Sequence, residues 1–207
     1  LGLGVWPPAF DAAQQALLLK EADIGAIPLP WRTMEVAEGR YDWDRTDRAM
    51  AWAHQQGKPI VAGPLLDFSA GAVPPWVAVW KHDFDTCRDL VYDHLAKVVE
   101  RYRNVATIWN LAAGLNLNDH FSFSVDQMVA LVRTAGVLVR QMRRGAKTMI
   151  ELMQPFGEHV AFHRESVAPM AWLDRLVQEG LQIDSIGVRI QFGPRPRHAG
   201  GSTLAAS

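Results

Sequence analysis

Residues 94–114 read HLAKVVERYRNVATIWNLAAG, and this stretch decides the fold. Leu95, Val98, Val99 and Tyr102 recur at helical intervals, Asn104 breaks the pattern, and VATIW at 105–109 is a short apolar run of strand character. Helix, turn and buried strand follow one another within about twenty residues. Where such a strand emerges, an α/β enzyme places its chemistry. At that exit stand Ala113 and Gly114, neither of which gives or takes a proton. The stretch has an enzyme's architecture without a catalytic group at this position.

The same alternation extends in both directions. Leu1–Val5, Ile24–Leu29, Pro59–Gly63, Val105–Trp109, Thr148–Leu152 and Ile183–Ile190 read as strands, each short and apolar enough to be buried on both faces. Helical patterns lie between them over Asp11–Ala22, Asp44–Gln56, Phe84–Tyr102, Val125–Met142 and Ala168–Glu179. Ser124 is placed as an N-cap, Pro169 falls near a helix start, and Gly57 and Gly180 fall just past helix ends. In Phe84–Tyr102 the residues Phe84, Cys87, Val91, Leu95, Val98 and Tyr102 form one apolar stripe. This is a βα unit repeated about every 35 residues, for which right-handed parallel crossovers are expected. The tail 194–207, rich in Pro, Gly, Ser and Ala, reads as flexible and apart from a domain over 1–193.

Composition narrows the function classes. The 207 residues are 49% hydrophobic and 21% charged, which fits one globular core. A formal net charge of −1, with no block of five like charges, supplies no field to recruit nucleic acid or an anionic membrane. No apolar run approaches the roughly 18 residues that span a bilayer. The N-terminal LGLGVW lacks the charged and cleavage regions of a signal peptide and has the character of the interior of a longer reading frame. Localisation is therefore unassigned. The single cysteine, Cys87, cannot form an internal disulfide and reads as a buried, inert thiol.

Repeated βα units admit a doubly wound sheet or a closed eight-stranded barrel. No glycine-rich phosphate fingerprint follows any strand, and the first turn, GVWPPAF, has prolines where a dinucleotide fold needs backbone N–H groups. A barrel takes about 250 residues and eight strands, and six are present here. The segment WRTMEVAEGRYDWDRTDRAMAWAHQQGKPIVAGPLLDF (31–68), followed by VPPWV (73–77), resembles the family-10 glycoside hydrolases, the xylanase-type (β/α)8 barrels. HLAKVVERYRNVATIWN (94–110) is similar to the helix and fourth strand leading to that family's acid/base Glu, and LVQEGLQIDSIGVRIQFG (176–193) to its sixth strand. The resemblance implies an α/β chain of TIM-barrel type with about six βα units present, divergent and apparently truncated. It also implies an oligo- or polysaccharide as partner, and it brings no cofactor.

The departures from the family fall on its catalytic positions. Its Asn-Glu after the fourth strand is Ala113-Gly114 here. Its Asn-Glu-x-Lys-Trp after the second strand is Ile27-Pro28-Leu29-Pro30-Trp31, its third-strand His is Pro64, and its sixth-strand His is Gln191. The nucleophile belongs to a seventh strand that this sequence does not contain. Glycoside hydrolysis ordinarily needs two carboxyl groups, one to protonate the leaving oxygen and one to attack or to activate water. Neither inherited carboxyl is present.

Other residues at the expected barrel mouth are candidates for binding. Glu151, in TMIEL, and Asp67, in GPLLDF, would form a carboxylate pair if both pointed inward; otherwise each is a hydrogen-bonded rim acid. Arg189 and Gln191 share a face of the sixth strand, and Glu151 on the adjacent strand is the natural anion for an inward arginine. Asn110 stands at the exit of the fourth strand. Among eight tryptophans, Trp31, Trp76, Trp80 and Trp109 lie near strand ends, where aromatic rings stack on pyranose faces or simply fill a core. The resemblance puts Trp31 and Trp76 at the mouth, while Trp52 and Trp172 read as helix packing. The candidate substrate-binding set is Trp31, Asp67, Trp76, Asn110, Glu151, Arg189 and Gln191. His159 and His163 stand four apart but lack a third metal ligand and read as a solvated helix face, while Asn116, Asn118, Asp119 and His120 read as loop formers.

Two classes of function follow: a glycan-active enzyme of the xylanase type whose remaining strands and nucleophile lie outside this sequence, or a non-catalytic barrel, either a carbohydrate-binding relative or a truncated product without independent activity. The loss of several independent catalytic positions favours the second. Six strands leave two sheet edges unpaired, so self-association through those edges is expected.

Overall fold

Six short strands form a single parallel sheet in the computed structural model, which describes residues 2–4, 13, 20 and 22–190. In chain order the strands are β1 (Gly2–Gly4), β2 (Ile24–Ile27), the small antiparallel hairpin β3 (Glu35–Ala37) and β4 (Arg40–Tyr41), then β5 (Ile60–Ala62), β6 (Ile108–Ala113), β7 (Lys147–Met153) and β8 (Ser185–Arg189). The helices are α1 (Trp31–Met34), α2 (Asp44–Gln55), α3 (Pro75–Ala78), α4 (Phe84–Tyr102), α5 (Val125–Met142) and α6 (Pro169–Gln178). In the sheet the order is β1-β2-β5-β6-β7-β8, every neighbour parallel. A doubly wound sheet reverses its strand order at a switch point. This order is monotonic, so the chain follows the winding of a (β/α) barrel over six strands.

The long helices form where their caps and stripes require. Asp83 caps α4 by accepting from Thr86 N at 3.1 Å. Ser124 and Gln127 make a reciprocal capping box at the start of α5. Pro169 occupies the first turn of α6, and Gly180 beyond its end has φ of 78°. Cys87, Val91, Leu95, Val98 and Tyr102 on α4 are buried, as are Met128, Leu131, Val132, Ala135 and Val139 on α5. These stripes close over Ile60, Ala62, Trp109, Leu111 and Ile150 of the sheet to make the core. Trp172 is buried in that core and Trp52 packs against it. Cys87 donates its thiol to Trp80 O at 3.1 Å, and burial, with Asp83 nearby, pushes its pKa up to about 11.

Three elements differ from the sequence reading. The fourth sheet strand runs over Ile108–Ala113 rather than Val105–Trp109. Val105 and Ala106 are instead held in a turn by bonds to Tyr102 O, and the strand continues past Asn110 because its polar side chain finds a partner inside the barrel. The β3–β4 hairpin and the short helices α1 and α3 fill what reads as loop. His159 is buried in a 3-10 turn over Glu158–Ala161 rather than solvated on a helix, and its Nε2 lies near Val167 O and the Asn116 amide. The helix read over Asp11–Ala22 falls almost wholly outside the described residues, and so do Gln191 and the tail 194–207.

Candidate functional site

In a parallel barrel the C-terminal ends of the strands share one mouth, and the connections that leave them line it. After β2 the chain passes through Pro28, Leu29 and Pro30 into α1, whose first residue is Trp31. After β5, Gly63 and a cis peptide to Pro64 lead into Leu65, Leu66 and Asp67. This segment runs beside β6, with Leu65 N on Asn110 O at 2.8 Å and Leu66 N on Leu111 O at 3.1 Å. The approach needs glycine. Gly63 has φ of 131°, and a Cβ there would lie 2.5 Å from Asn110 O.

These segments enclose a cavity of about 240 Å³ whose wall is mostly proline, leucine and aromatic, including Trp31 and Phe68, with Asp67 and Arg189 as its charged members. Arg189 Nε donates to Glu151 Oε1 at 2.5 Å, and Asn110 Nδ2 donates to Glu151 Oε2 at 2.6 Å. Both oxygens of Glu151 are thus engaged, and Glu151 and Arg189 form the ion pair expected from the strand period. Asp67 turns back on its own loop, where Oδ1 accepts from Ser69 N at 3.0 Å and Ser69 Oγ at 2.6 Å. The two carboxylates therefore face different partners, one across the sheet and one along the loop.

Gly114, at the position where the resemblance puts an acid/base Glu, has φ of 62°, in the left-handed region. Met153 fills the space beside it, so that a Cβ on residue 114 would lie 2.6 Å from the Met153 sulfur. A side chain at this position would therefore meet both a left-handed backbone and Met153.

Trp31 is fixed by a buried network below the mouth. Its indole stacks on His94 with centroids 4.5 Å apart, and its Nε1 donates to Glu35 Oε2 at 2.7 Å. Tyr41 OH donates to the same oxygen at 2.7 Å, and Gly39 N donates to Glu35 Oε1 at 2.8 Å. His94 Nδ1 lies 3.0 Å from Tyr41 OH. Since the tyrosine's one proton goes to Glu35, the network assigns the His94 proton to Nδ1. Burial raises the Glu35 pKa, but the hydrogen bonds from His94, Tyr41, Trp31 and Gly39 outweigh it and hold the carboxyl at about 2. Burial lowers the His94 pKa against the opposing pull of Glu35, and it raises that of Tyr41 with help from the same carboxylate.

The structure thus brings Asn110, Glu151 and Arg189 into one contact set and puts Trp31, Asp67 and Arg189 on one cavity wall. Trp76 stands edge-on to Trp31 at 6.4 Å and donates to Glu35 O at 3.4 Å. Trp109 is fully buried, while Trp80 is 44% exposed. Asn116 and Asn118 hold neighbouring loops through Val167 O and Phe123 O. Among the described residues, no group of three or more His, Cys, Asp or Glu side chains is arranged as metal ligands. Sequence reasoning missed Glu35, His94 and Tyr41, and no local pattern marks them: Glu35 opens β3, Tyr41 ends β4, and His94 comes from α4.

The model of glycosyl hydrolase family 10 matches residues 28–127. Among curated relatives, the chain is 28% identical over 172 residues to endo-1,4-beta-xylanase 3 of Hypocrea jecorina, covering 81% of this chain and 49% of that protein. It is 22% identical over 185 residues to endo-1,4-beta-xylanase 1 of Gibberella zeae, covering 86% and 51%. The chain spans about half the length of these relatives. Among solved structures, a GH10 protein from Paenibacillus barcinonensis superposes with a TM-score of 0.68 at 18% identity, over 93% of this chain and 61% of that one. Xylanase B from Clostridium stercorarium F9 gives 0.68 at 16%, over 90% and 60%. The matched sequence, 100 of the 207 residues, and the shared sheet make the chain similar to glycosyl hydrolase family 10 and xylanase-related.

Proposed function

We propose that this family-10-like chain does not hydrolyse glycosides and that its mouth is a weak binding site for xylan-type oligosaccharides. The observation that carries the first half is Gly114, a left-handed glycine packed beside Met153 at the position to which the resemblance assigns an acid/base Glu. At the mouth, Glu151 is committed to Arg189 and Asn110, and Asp67 to Ser69. A general acid must be free to deliver its proton to the leaving oxygen, and an ion-paired carboxylate is a poor source.

Support for binding comes from the cavity and from the names of the relatives, which are xylanases. Trp31 offers the cavity an apolar wall, Trp76 stands beside it, and Asp67 and Arg189 supply polar groups; Gln191, beyond the described residues, belongs to the same proposed set. Prolines 28, 30 and 64 bring no side-chain donors, so few hydrogen bonds discriminate the sugar. A dissociation constant on the order of 1 mM, about −4 kcal/mol, is the expected scale.

Titration with xylo-oligosaccharides should quench tryptophan fluorescence in this range, and Trp31→Phe should remove most of the change. Absence of quenching at several millimolar would remove the binding half. Release of reducing sugar that is abolished by Glu151→Gln and kept in Asp119→Asn would overturn the non-catalytic half and make Glu151 catalytic.

A further inference from the structure

We propose that the cavity at the mouth selects a sugar bearing a protonated amine, held by Asp67, over the neutral sugar of the same shape. The inference rests on the reading of the mouth as a sugar site and names the charge that site favours. The polar groups of the wall set the selectivity. Pro28, Pro30 and Pro64 present carbonyls but no backbone N–H. Leu65 N and Leu66 N are taken by Asn110 O and Leu111 O, Ala72 N by Ser69 O at 3.0 Å, and the Trp31 indole N–H by Glu35. The wall is therefore poor in donors. On the acceptor side, Asp67 is half-buried and its Oδ1 takes both Ser69 donors. Its Oδ2 has no hydrogen-bond partner among the described residues and is left for a ligand. An ammonium group brings three donors and no acceptor, whereas a hydroxyl must also find a donor for its lone pairs.

The charges agree with the donor count. Among the described residues Arg189 is the cation of the cavity wall, and Glu151 already neutralises it through the ion pair at Nε. Asp67 then leaves these three side chains with one net negative charge. A negatively charged sugar would face Asp67 and an arginine already committed to a carboxylate. A protonated amine instead makes a charge-assisted hydrogen bond with Asp67, about twice as strong as a neutral one. The rings of Trp31 and Phe68 in the wall also favour a cation over an anion. With about 240 Å³ the cavity takes about one sugar ring, so the amine can reach Asp67 while a ring hydroxyl accepts from the terminal nitrogens of Arg189.

The test is tryptophan quenching of the 207-residue chain by two probes, the β-1,4-linked dimer of glucosamine and cellobiose, which carries hydroxyls where the first carries amines. At about pH 6, where the amine is charged, the glucosamine dimer should bind about fivefold more tightly than cellobiose. The preference should vanish at about pH 9, where the amine is neutral. In Asp67→Asn, which keeps an acceptor for Ser69 and turns a donor toward the ligand, the two sugars should bind within about twofold of each other at pH 6. The pH comparison is made on the unaltered chain and does not depend on the folding of the variant. Equal binding of both sugars at pH 6 overturns the proposal while leaving the mouth a sugar site. A preference that persists at pH 9 or in Asp67→Asn also overturns it, because the amine is then not read as a charge or is read elsewhere. Quenching by neither sugar overturns both this proposal and the reading of the mouth on which it rests.

Discussion

Glu35→Gln should destabilise the chain by roughly 3 kcal/mol at neutral pH. The Glu35 side chain is nearly inaccessible and is held by Trp31 Nε1 and Tyr41 OH on one oxygen and Gly39 N on the other, with His94 Nδ1 3.5 Å from the first oxygen. Glutamine keeps one acceptor and turns an NH2 toward a buried donor, which costs a hydrogen bond to a charged group and leaves donors facing each other. Linkage expresses the same hydrogen bonds as a proton affinity and gives the same order of size. Moving the carboxyl from its ordinary 4.5 to about 2 corresponds to roughly 3 kcal/mol, at about 1.4 kcal/mol per tenfold change in proton affinity. Because the folded value lies below the unfolded one, this stability is present above about pH 4.5 and is lost as the pH falls toward about 2. His94 adds a loss that begins below about 6.5, since it is buried neutral while its unfolded counterpart takes a proton. Urea melts of both proteins at several pH values check the reasoning through their difference. At pH 7 the gap should be roughly 3 kcal/mol, or 6–12 °C in Tm for a chain of this size. The gap should narrow below pH 4.5. A gap under about 1 kcal/mol at pH 7, or one constant down to pH 2.5, would refute a charged, hydrogen-bonded Glu35.

Two glycines at the mouth should respond differently to added side chains. Gly114→Ala should cost about 1–2 kcal/mol for its left-handed backbone, and Met153→Ala in the same chain should relieve any further cost, because the colliding atom ends a flexible side chain. Gly114→Glu should yield no xylan hydrolysis in a reducing-sugar assay. Gly63→Ala should cost at least about 3 kcal/mol in a chemical melt with no single-residue rescue, since its Cβ meets the backbone oxygen of Asn110.

The sheet was legible from short apolar runs between helical patterns, although burial on both faces holds for β5 and not for β8, where Ile186 and Val188 are about half exposed; the long helices were legible wherever a cap and a stripe coincided. Short elements carry too few residues to show a period, which is why β3, β4 and α1 read as loop. β6 was cut short for a related reason: Asn110 looks like a strand end until Glu151, on the neighbouring strand, supplies its partner. The site divides along the same line. The Arg189–Glu151 pair could be foreseen because neighbouring strands and a period of two bring those residues together. The missing carboxyl at 114 could be foreseen from the family motif, but its glycine's positive φ and the methionine packed beside it are tertiary facts. Glu35 shows the limit most sharply. In EVAEGRY it looks like a solvated acid before a turn, yet Tyr41, six residues on, and His94, across the fold, make it the carboxylate that holds Trp31 against the cavity. Burial of an acid is set by which distant donors the fold delivers to it, so the strongest electrostatic feature near this mouth had the weakest signature in the chain.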